Sequence, residues 1–231
     1  MTLDYSKHKN ILLQILKDIY SDTSIAPFLG FKGGTAALLF YDLGRGSADL
    51  DFDLLDESKE QIVFDTIKHI VTPYGNIVDS RIKRFNLLYV LSYDTKAQNI
   101  KVEVNRRHFG SMYEMKTLFG ISMLVMVRAD MFAHKLMAMH ERMGKTSRDI
   151  YDVWFFLQSN WPINKSLVEK RTGLTFKESL TRCIKKLENV ASRSILSGMG
   201  ELLDPKQKAW AKAKLKTETL FLLKVMLESE Q

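Results

Sequence analysis

The segment from Leu50 to Leu55 most constrains the fold, because aspartate alternates there with apolar residues. Successive side chains of a β-strand point to opposite faces, so this period of two predicts a strand with one buried face. Asp49 and Asp51 are two residues apart, and both carboxylates would therefore point to the same side. Two neighbouring carboxylates repel each other, and a divalent cation such as Mg²⁺, which prefers oxygen ligands, relieves that repulsion.

A glycine-rich turn precedes this strand. Gly33 and Gly34 follow a short predicted strand around residues 28–31, and a short helix is predicted from Thr35 to Tyr41. Backbone N–H groups at such a helix start favour an anion, and the Thr35 hydroxyl lies beside them. Acid pairs on exposed strands and glycine turns are each common alone. In this order they predict a phosphate cradle ahead of a metal-binding pair, as nucleotidyl transfer requires.

Strand patterns are concentrated in the first half of the chain. An amphipathic helix is predicted from Asp4 to Tyr20, and further strands at 76–82, 85–93 and 100–105. From about residue 120 the patterns are helical. The predicted fold class is α+β, with a mixed sheet flanked by helices over residues 1–115 and an all-α region over residues 116–231.

Two helix starts are predicted in the second half. Thr146 to Asp149 resembles a capping box that opens a helix through Leu157. Asp204 followed by a proline predicts the start of a last helix, which ends near Glu228.

The excess positive charge lies entirely in the second half. Residues 1–115 carry 14 Lys and Arg against 15 Asp and Glu, whereas residues 116–231 carry 20 against 12. A basic half beside a near-neutral half indicates that the basic half binds a polyanion. A lysine-rich but merely solvated helix surface explains the charge equally well. The densest basic run extends from Lys206 to Lys216, around Trp210.

The expected compartment is the cytoplasm. Cys183 is the single cysteine, the residues from Met1 to Asn10 lack the apolar core of a signal peptide, and no stretch approaches the length of a membrane span. No interaction with a membrane is expected.

The order of the two motifs resembles that of polymerase-β-like nucleotidyltransferases. Residues 32–36 (Lys-Gly-Gly-Thr-Ala) and 45–52 (Arg-Gly-Ser-Ala-Asp-Leu-Asp-Phe) are closer to one branch, the AbiEii-type nucleotidyltransferases. These are the toxins of type IV toxin–antitoxin and abortive-infection systems. Their downstream helical pattern Lys…Arg…Arg-Asp-x-x-Asp is matched by Lys135, Arg142 and residues 148–152. The resemblance covers roughly residues 25–158.

The resemblance implies a polymerase-β-like catalytic domain at residues 1–115 and a helical domain at 116–231 that contributes to the site. Asp49 and Asp51 would bind Mg²⁺ or Mn²⁺. Glu103, on the predicted strand at 100–105, is the candidate third ligand or base. A surface strand on which Glu103 faces water is the alternative.

An NTP would be the substrate. The candidate nucleotide-binding residues are Lys32, Gly33, Gly34, Thr35, Arg45, Ser47, Arg142, Arg148 and Asp149. By resemblance, Lys135 contacts the triphosphate, and Asp152 or Asp149 orients Lys135 or the acceptor. The alternative is a structural ion-pair network that holds two helices together.

The implied reaction moves NMP onto RNA, such as a tRNA 3′ end, and arrests growth until a cognate antitoxin encoded nearby neutralises the toxin. Five basic residues could contact such an acceptor or could be idle: Arg81, Lys83, Arg84, Arg106 and Arg107. One rival function is modification of a small molecule such as an antibiotic, against which the basic second half argues. The other is a non-enzymatic nucleotide- or RNA-binding module, against which the intact Asp49 and Asp51 argue.

Overall fold

The computed structural model describes residues 5–95 and 98–230. The chain forms two compact units. Unit 1 extends to residue 108 and resumes for residues 112–126, and unit 2 comprises residues 109–111 and those from 127 onward.

Seven strands of unit 1 form one sheet. They are β1 (Leu29–Lys32), β2 (Asp49–Leu54), β3 (Asn76–Ile82), β4 (Asn86–Ser92), β5 (Ile100–Asn105), β6 (Tyr113–Leu118) and β7 (Ile121–Met126). Their order across the sheet is β3-β4-β5-β2-β1-β7-β6. The β2–β5 and β1–β7 pairs are parallel and the others antiparallel, so the predicted mixed sheet is confirmed. Strands β6 and β7 were not predicted, and they carry the sheet beyond residue 115.

Among the described residues of unit 1, three α-helices accompany this sheet: α1 (Tyr5–Ser21), α2 (Gly33–Tyr41) and α3 (Glu60–Val71). Helix α1 buries the apolar side that its periodicity predicted; Asp4 lies outside the described residues. The apolar face of β2 forms the core, where the Phe52 ring lies 5.3 Å from that of Phe31 and 6.0 Å from that of Tyr20. Phe52 has no exposed surface, and burying such a ring contributes roughly 2–3 kcal/mol. Because successive side chains of a strand alternate, the aspartates of β2 lie on the face opposite to this core.

Unit 2 is helical, as predicted. Its α-helices are α4 (Arg128–Arg142), α5 (Arg148–Gln158), α6 (Lys165–Thr172), α7 (Phe176–Glu188), α8 (Pro205–Trp210) and α9 (Lys216–Glu228). Asp204 caps α8 as predicted, but the last helix is interrupted by a π-helical segment at Ala211–Leu215. No helix among the described residues is long and apolar enough to cross a membrane.

The capping box predicted at the start of α5 is wrong. Ser147 is the N-cap and forms no side-chain cap hydrogen bond; its hydroxyl donates instead to the carbonyl of Ser194, 3.1 Å away. Asp149, the acid expected to complete the box, binds cations of α4 instead.

The basic run that begins at Lys206 is partly structural. Trp210 packs against Trp154, with ring centroids 4.2 Å apart. The Lys216 ammonium donates to the carbonyls of Glu188 and Val190, at 2.8 and 2.7 Å. At least this lysine therefore ties α9 to the end of α7 rather than standing free for a polyanion.

Candidate functional site

Gly33 joins β1 directly to α2, and its backbone lies against the Asp51 carboxylate. Its φ is +80°, and a Cβ added there would lie 2.3 Å from Asp51 Oδ2. L side chains rarely adopt this backbone conformation, and a methyl group has no room, so the position requires glycine. The turn predicted as a phosphate cradle thus also positions a predicted metal ligand.

The loop before β2 packs onto the start of α2 at Gly34. A Cβ at Gly34 would lie 2.9 Å from Ser47 Oγ and 3.1 Å from Arg45 Nη2. The Thr35 hydroxyl lies 2.9 Å from Ser47 Oγ and donates to the carbonyl of Asp49. Only 4% of Arg45 is exposed, and its guanidinium donates to the Gly46 carbonyl at 2.7 Å.

These contacts gather five of the predicted nucleotide-binding residues at the N-terminus of α2: Gly33, Gly34, Thr35, Arg45 and Ser47. The first N–H groups of a helix have no partner within the helix, and the helix dipole favours negative charge at this end. A guanidinium and two hydroxyls beside such N–H groups are suited to holding phosphate oxygens.

The candidate metal ligands occupy neighbouring positions in the sheet. Asp51 pairs with Lys32 of β1 on one side and with Glu103 of β5 on the other. Because paired residues of adjacent strands present their side chains to the same face, Glu103 shares a row with Asp51. Asp49, Asp51 and Glu103 are all half-buried. The predicted third carboxylate is therefore on the adjacent strand, in register.

The carboxylates of this row do not form a closed cage. Across residues 5–95 and 98–230, no three His, Cys, Asp or Glu side chains are grouped closely enough to hold a metal ion. Mg²⁺ rarely uses an all-protein cage; it takes one or two carboxylates and completes its shell with substrate phosphates and water. Asp49 and Asp51, both hard oxygen donors, fit that mode of binding next to the start of α2.

A buried ion pair beside this row was missed in the sequence. Lys32 Nζ lies 2.5 Å from Asp53 Oδ1, which also accepts from Asn105 Nδ2 at 2.6 Å. The Tyr113 hydroxyl donates to Asp53 Oδ2. Burial raises the pKa of Asp53, but the Lys32 charge and these hydrogen bonds outweigh it, so the pKa lies below its ordinary value. Lys32, predicted to bind nucleotide, is thus engaged by Asp53.

Two residues of α1 hold the loop that leads into β2, and no sequence signal distinguished them. His8 is fully buried; its Nε2 lies 3.0 Å from the carbonyl oxygen of Ala48 and its Nδ1 lies 2.9 Å from the Tyr93 hydroxyl. A neutral imidazole that donates from Nε2 and accepts at Nδ1 satisfies both contacts. The Tyr5 hydroxyl accepts from the Ser47 backbone N–H at 3.1 Å. Together they fix the residues immediately before Asp49.

Within unit 2, Lys135 of α4 lies between two buried carboxylates of α5. Its ammonium is 2.7 Å from Asp152 Oδ2 and 3.3 Å from Asp149 Oδ1. Arg142 Nη2 donates to Asp149 Oδ1 at 2.8 Å and lies 2.7 Å from Oδ2, without a second hydrogen bond. Asp149 and Asp152 are 1% and 0% exposed in their side chains, and buried carboxylates are costly unless paired.

The residues of the predicted downstream motif are therefore together, in the arrangement of an ion-pair network. Lys135 and Arg142 come from α4, and Asp149 and Asp152 from α5, so the network links these two helices. Arg148 is the half-buried first residue of α5. This geometry links α4 to α5, and a role of Lys135 toward phosphate stays a prediction.

Comparison with known proteins gives a family match over most of the chain. The family described as "Nucleotidyl transferase AbiEii toxin, Type IV TA system" matches residues 14–220. No curated protein sequence matches the chain.

Three solved structures are similar in fold. A proposed nucleotidyltransferase from H. pylori is 22% identical, with a TM-score of 0.63 and coverage of 99% of this chain and 95% of that one. JHP933 from Helicobacter pylori is 18% identical, with a TM-score of 0.57 and coverage of 100% and 98%. An antigenic nucleotidyltransferase-like protein from Paracoccidioides brasiliensis is 12% identical, with a TM-score of 0.50 and coverage of 80% and 94%. At these identities the likeness concerns the fold.

Proposed function

Because the chain belongs to the AbiEii family of nucleotidyl transferase toxins of type IV toxin–antitoxin systems, we propose that it transfers a nucleoside monophosphate from an NTP to an RNA hydroxyl. The proposed acceptor is the 3′ end of a tRNA, and the proposed metal is Mg²⁺ or Mn²⁺. The observation that carries the proposal is the close approach of the Asp51 carboxylate to Gly33 at the start of α2, an end of a helix that favours an anion.

The start of α2 binds the triphosphate in this proposal. Backbone N–H groups of Gly34 and Thr35, together with the Ser47 hydroxyl, contact phosphate oxygens. The buried Arg45 guanidinium offsets their negative charge, and it does so more strongly than it would in water. Tyr5 and His8 hold the 46–48 loop in place, so these groups need little reorganisation when the substrate binds.

The acceptor oxygen attacks the α-phosphorus, the bond to the bridging oxygen of the β-phosphate breaks, and pyrophosphate leaves with that electron pair. A divalent cation held by Asp49 and Asp51 would neutralise phosphate charge during this in-line displacement. Glu103 lies opposite Asp51 in register and is the candidate to accept the proton of the acceptor hydroxyl. Its alternative role is that of a further metal ligand.

The network in unit 2 has a second proposed role. Asp152 fixes the Lys135 ammonium at 2.7 Å, and Arg142 offsets the charge of Asp149. In the proposal Lys135 contacts the triphosphate, and Asp152 or Asp149 orients it. The cognate antitoxin would neutralise the toxin.

The test is transfer of α-³²P-labelled NTPs, one base at a time, into total tRNA with Mg²⁺. We expect wild-type protein to label RNA, and Asp49→Asn and Asp51→Asn to lose labelling. Asp79→Asn is the matched control, because Asp79 is an aspartate of the same sheet that pairs with the exposed Arg81. A folded wild-type protein that labels no RNA with any NTP would refute the RNA acceptor, and equal labelling by Asp51→Asn would refute the metal site.

A further inference from the structure

Phe85 is an exposed aromatic residue on the turn between β3 and β4, with 48% of its surface accessible. Two guanidinium groups lie over its ring. The central carbon of Arg84 is 4.9 Å from the ring centroid, and that of Arg107 is 5.4 Å from it. Planar guanidinium groups and aromatic rings are the side chains on which unpaired nucleobases stack.

This turn is held in a fixed conformation by residues that follow β5. The Arg106 backbone N–H donates to the Phe85 carbonyl at 2.9 Å. Its guanidinium donates to the carbonyls of Lys83 and Arg84, at 2.8 and 3.4 Å. Arg107 is held in turn by a 3.0 Å hydrogen bond from its Nε to Asn105 Oδ1. The backbone of the turn and the Arg107 guanidinium are thus each held by hydrogen bonds.

A cleft of about 550 Å³ opens beside the ring. Its lining includes Glu57, Glu60, Arg84, Phe85, Arg106 and Arg107. Its two carboxylates have basic partners: Glu60 forms an ion pair with Arg106, and Glu57 lies 3.1 Å from His108. The lining carries three guanidiniums, of Arg84, Arg106 and Arg107, for two carboxylates, and this excess of positive charge suits a phosphodiester backbone.

The position of the cleft relates it to the carboxylate row. Arg107 lies four residues after Glu103, roughly 13 Å along an extended chain. Asn105, which holds Arg107, also donates to Asp53 beside the row. Asn105 thus connects Arg107, whose guanidinium lies over Phe85, with β2, the strand that carries Asp49 and Asp51.

We propose that Phe85, Arg84 and Arg107 form a stacking site for an unpaired nucleobase of a single-stranded RNA acceptor, one or two nucleotides upstream of the reacting end. The base stacks on the layer formed by the ring and the guanidiniums, and the guanidiniums contact the neighbouring phosphates. This site, called the Phe85 clamp, rests on the proposed function, for which it supplies acceptor recognition. Because stacking needs only a π face, the clamp recognises an unpaired base with little sequence preference.

The experiment measures fluorescence anisotropy of a short labelled single-stranded RNA, and of the same strand annealed to its complement, with the full chain. Phe85→Ala removes the ring, and Phe85→Tyr retains it. Phe119→Ala is the matched control, since Phe119 is an exposed phenylalanine at another turn of the same sheet. Arg84→Ala and Arg107→Ala test the cations, and binding of Mg²⁺ with NTP is measured for every variant.

We expect Phe85→Ala to weaken binding of the single strand by about 10-fold. Phe85→Tyr and Phe119→Ala bind as the wild type does, and duplex binding changes little. In each arginine variant the negative slope of log affinity against log salt concentration becomes less steep by about one. Binding of NTP stays unchanged throughout.

The clamp is refuted if Phe85→Ala binds the single strand as tightly as wild type, or if wild type does not bind it. Its failure and that of the proposed function are distinguishable. RNA labelling that is unaffected by Phe85→Ala over a range of acceptor concentrations refutes the clamp but not the proposed reaction. Single-strand binding that depends on Phe85, without transfer of label from any NTP, supports the clamp and refutes the proposed reaction.

Discussion

The Lys32 ammonium lies 2.5 Å from Asp53 Oδ1, although its strand partner in register is Asp51. Asp53 thereby directs the cation away from the carboxylate proposed to bind metal. A lysine that instead paired with Asp51 would compete with a divalent cation for the same oxygens. The pair thus links the stability of the sheet to the availability of the metal ligands.

Asp53→Asn is expected to release Lys32 and to raise the Mg²⁺ concentration needed for half-maximal transfer. Breaking this mostly buried pair should also cost about 3 kcal/mol of the free energy of unfolding. Mg²⁺ titrations of transfer activity and urea unfolding measure the two effects. Lys32→Met/Asp53→Asn is the control, because it removes the competing cation. An unchanged Mg²⁺ requirement in Asp53→Asn would show that Lys32 does not compete at Asp51.

The depressed pKa of Asp53 gives stability a defined dependence on pH. The ionised carboxylate is favoured in the folded state, so its contribution is fully present above the ordinary aspartate pKa, near 3.8, and is lost as the pH falls through the lower folded value. The difference in unfolding free energy between wild type and Asp53→Asn should therefore be constant near neutrality and shrink in acid. Urea unfolding at a series of pH values measures it. A difference that instead shrank on going from acid to neutral pH would contradict this assignment.

Gly33→Ala is expected to abolish most transfer activity while leaving the chain folded. The added methyl group meets the Asp51 carboxylate, and displacement of a catalytic group by about 1 Å costs about 100-fold in rate. Gly120→Ala is a matched control: Gly120 has the same φ of +80°, but an added Cβ has nothing within 4 Å. Both variants should lose about 1–2 kcal/mol from backbone strain. Equal activity of the two variants would show that the Asp51 contact is unimportant.

Sequence patterns predicted the central part of the fold for a local reason. The alternation in β2 and the glycines before α2 act over a few residues, so they are visible in the sequence. Strand β6 is an edge strand without a strong apolar face, and the apolar run of β7 is followed almost at once by α4. The sequence pattern therefore predicted a strand at neither position.

The missed site residues depend on contacts between distant segments. Asp53 continues the alternation of β2, but its partners Lys32, Asn105 and Tyr113 meet it only through the strand order of the sheet. His8 is a polar residue near the start of an amphipathic helix, a position at which solvent exposure is the usual expectation. Register and helix placement, which a single sequence does not encode locally, made these residues part of the site.

His8→Leu is expected to destabilise unit 1 and to lower the transfer rate. The substitution removes the His8 Nε2 partner of the Ala48 carbonyl, which directly precedes Asp49 in the chain. An unsatisfied buried acceptor lowers the free energy of unfolding by about 1–3 kcal/mol. Tyr93→Phe is the comparison variant, because it keeps the ring and removes the hydroxyl that contacts His8 Nδ1. Unfolding measurements and single-turnover transfer at saturating NTP separate the two effects. Wild-type transfer by a folded His8→Leu protein would exclude a positioning role for His8.

Lys135→Met distinguishes the structural role of the unit 2 network from its proposed role toward phosphate. The substitution leaves the buried Asp152 carboxylate without the ammonium 2.7 Å away, which should cost about 3–5 kcal/mol. Lys135→Met/Asp152→Asn removes both charges and should recover much of that stability. Burial raises the pKa of the Cys183 thiol in α7 to about 12, so its alkylation reports opening of unit 2.

The decisive comparison is transfer activity in the double variant, measured where alkylation of Cys183 shows that unit 2 is closed. If Lys135 contacts the triphosphate, the double variant stays defective, with a raised KM for NTP, because restoring stability does not restore the cation. Lys135→Arg serves as the conservative comparison and should retain part of the activity, since it keeps the charge but changes its geometry. Recovery of wild-type transfer in the double variant would instead limit Lys135 and Asp152 to holding α4 against α5.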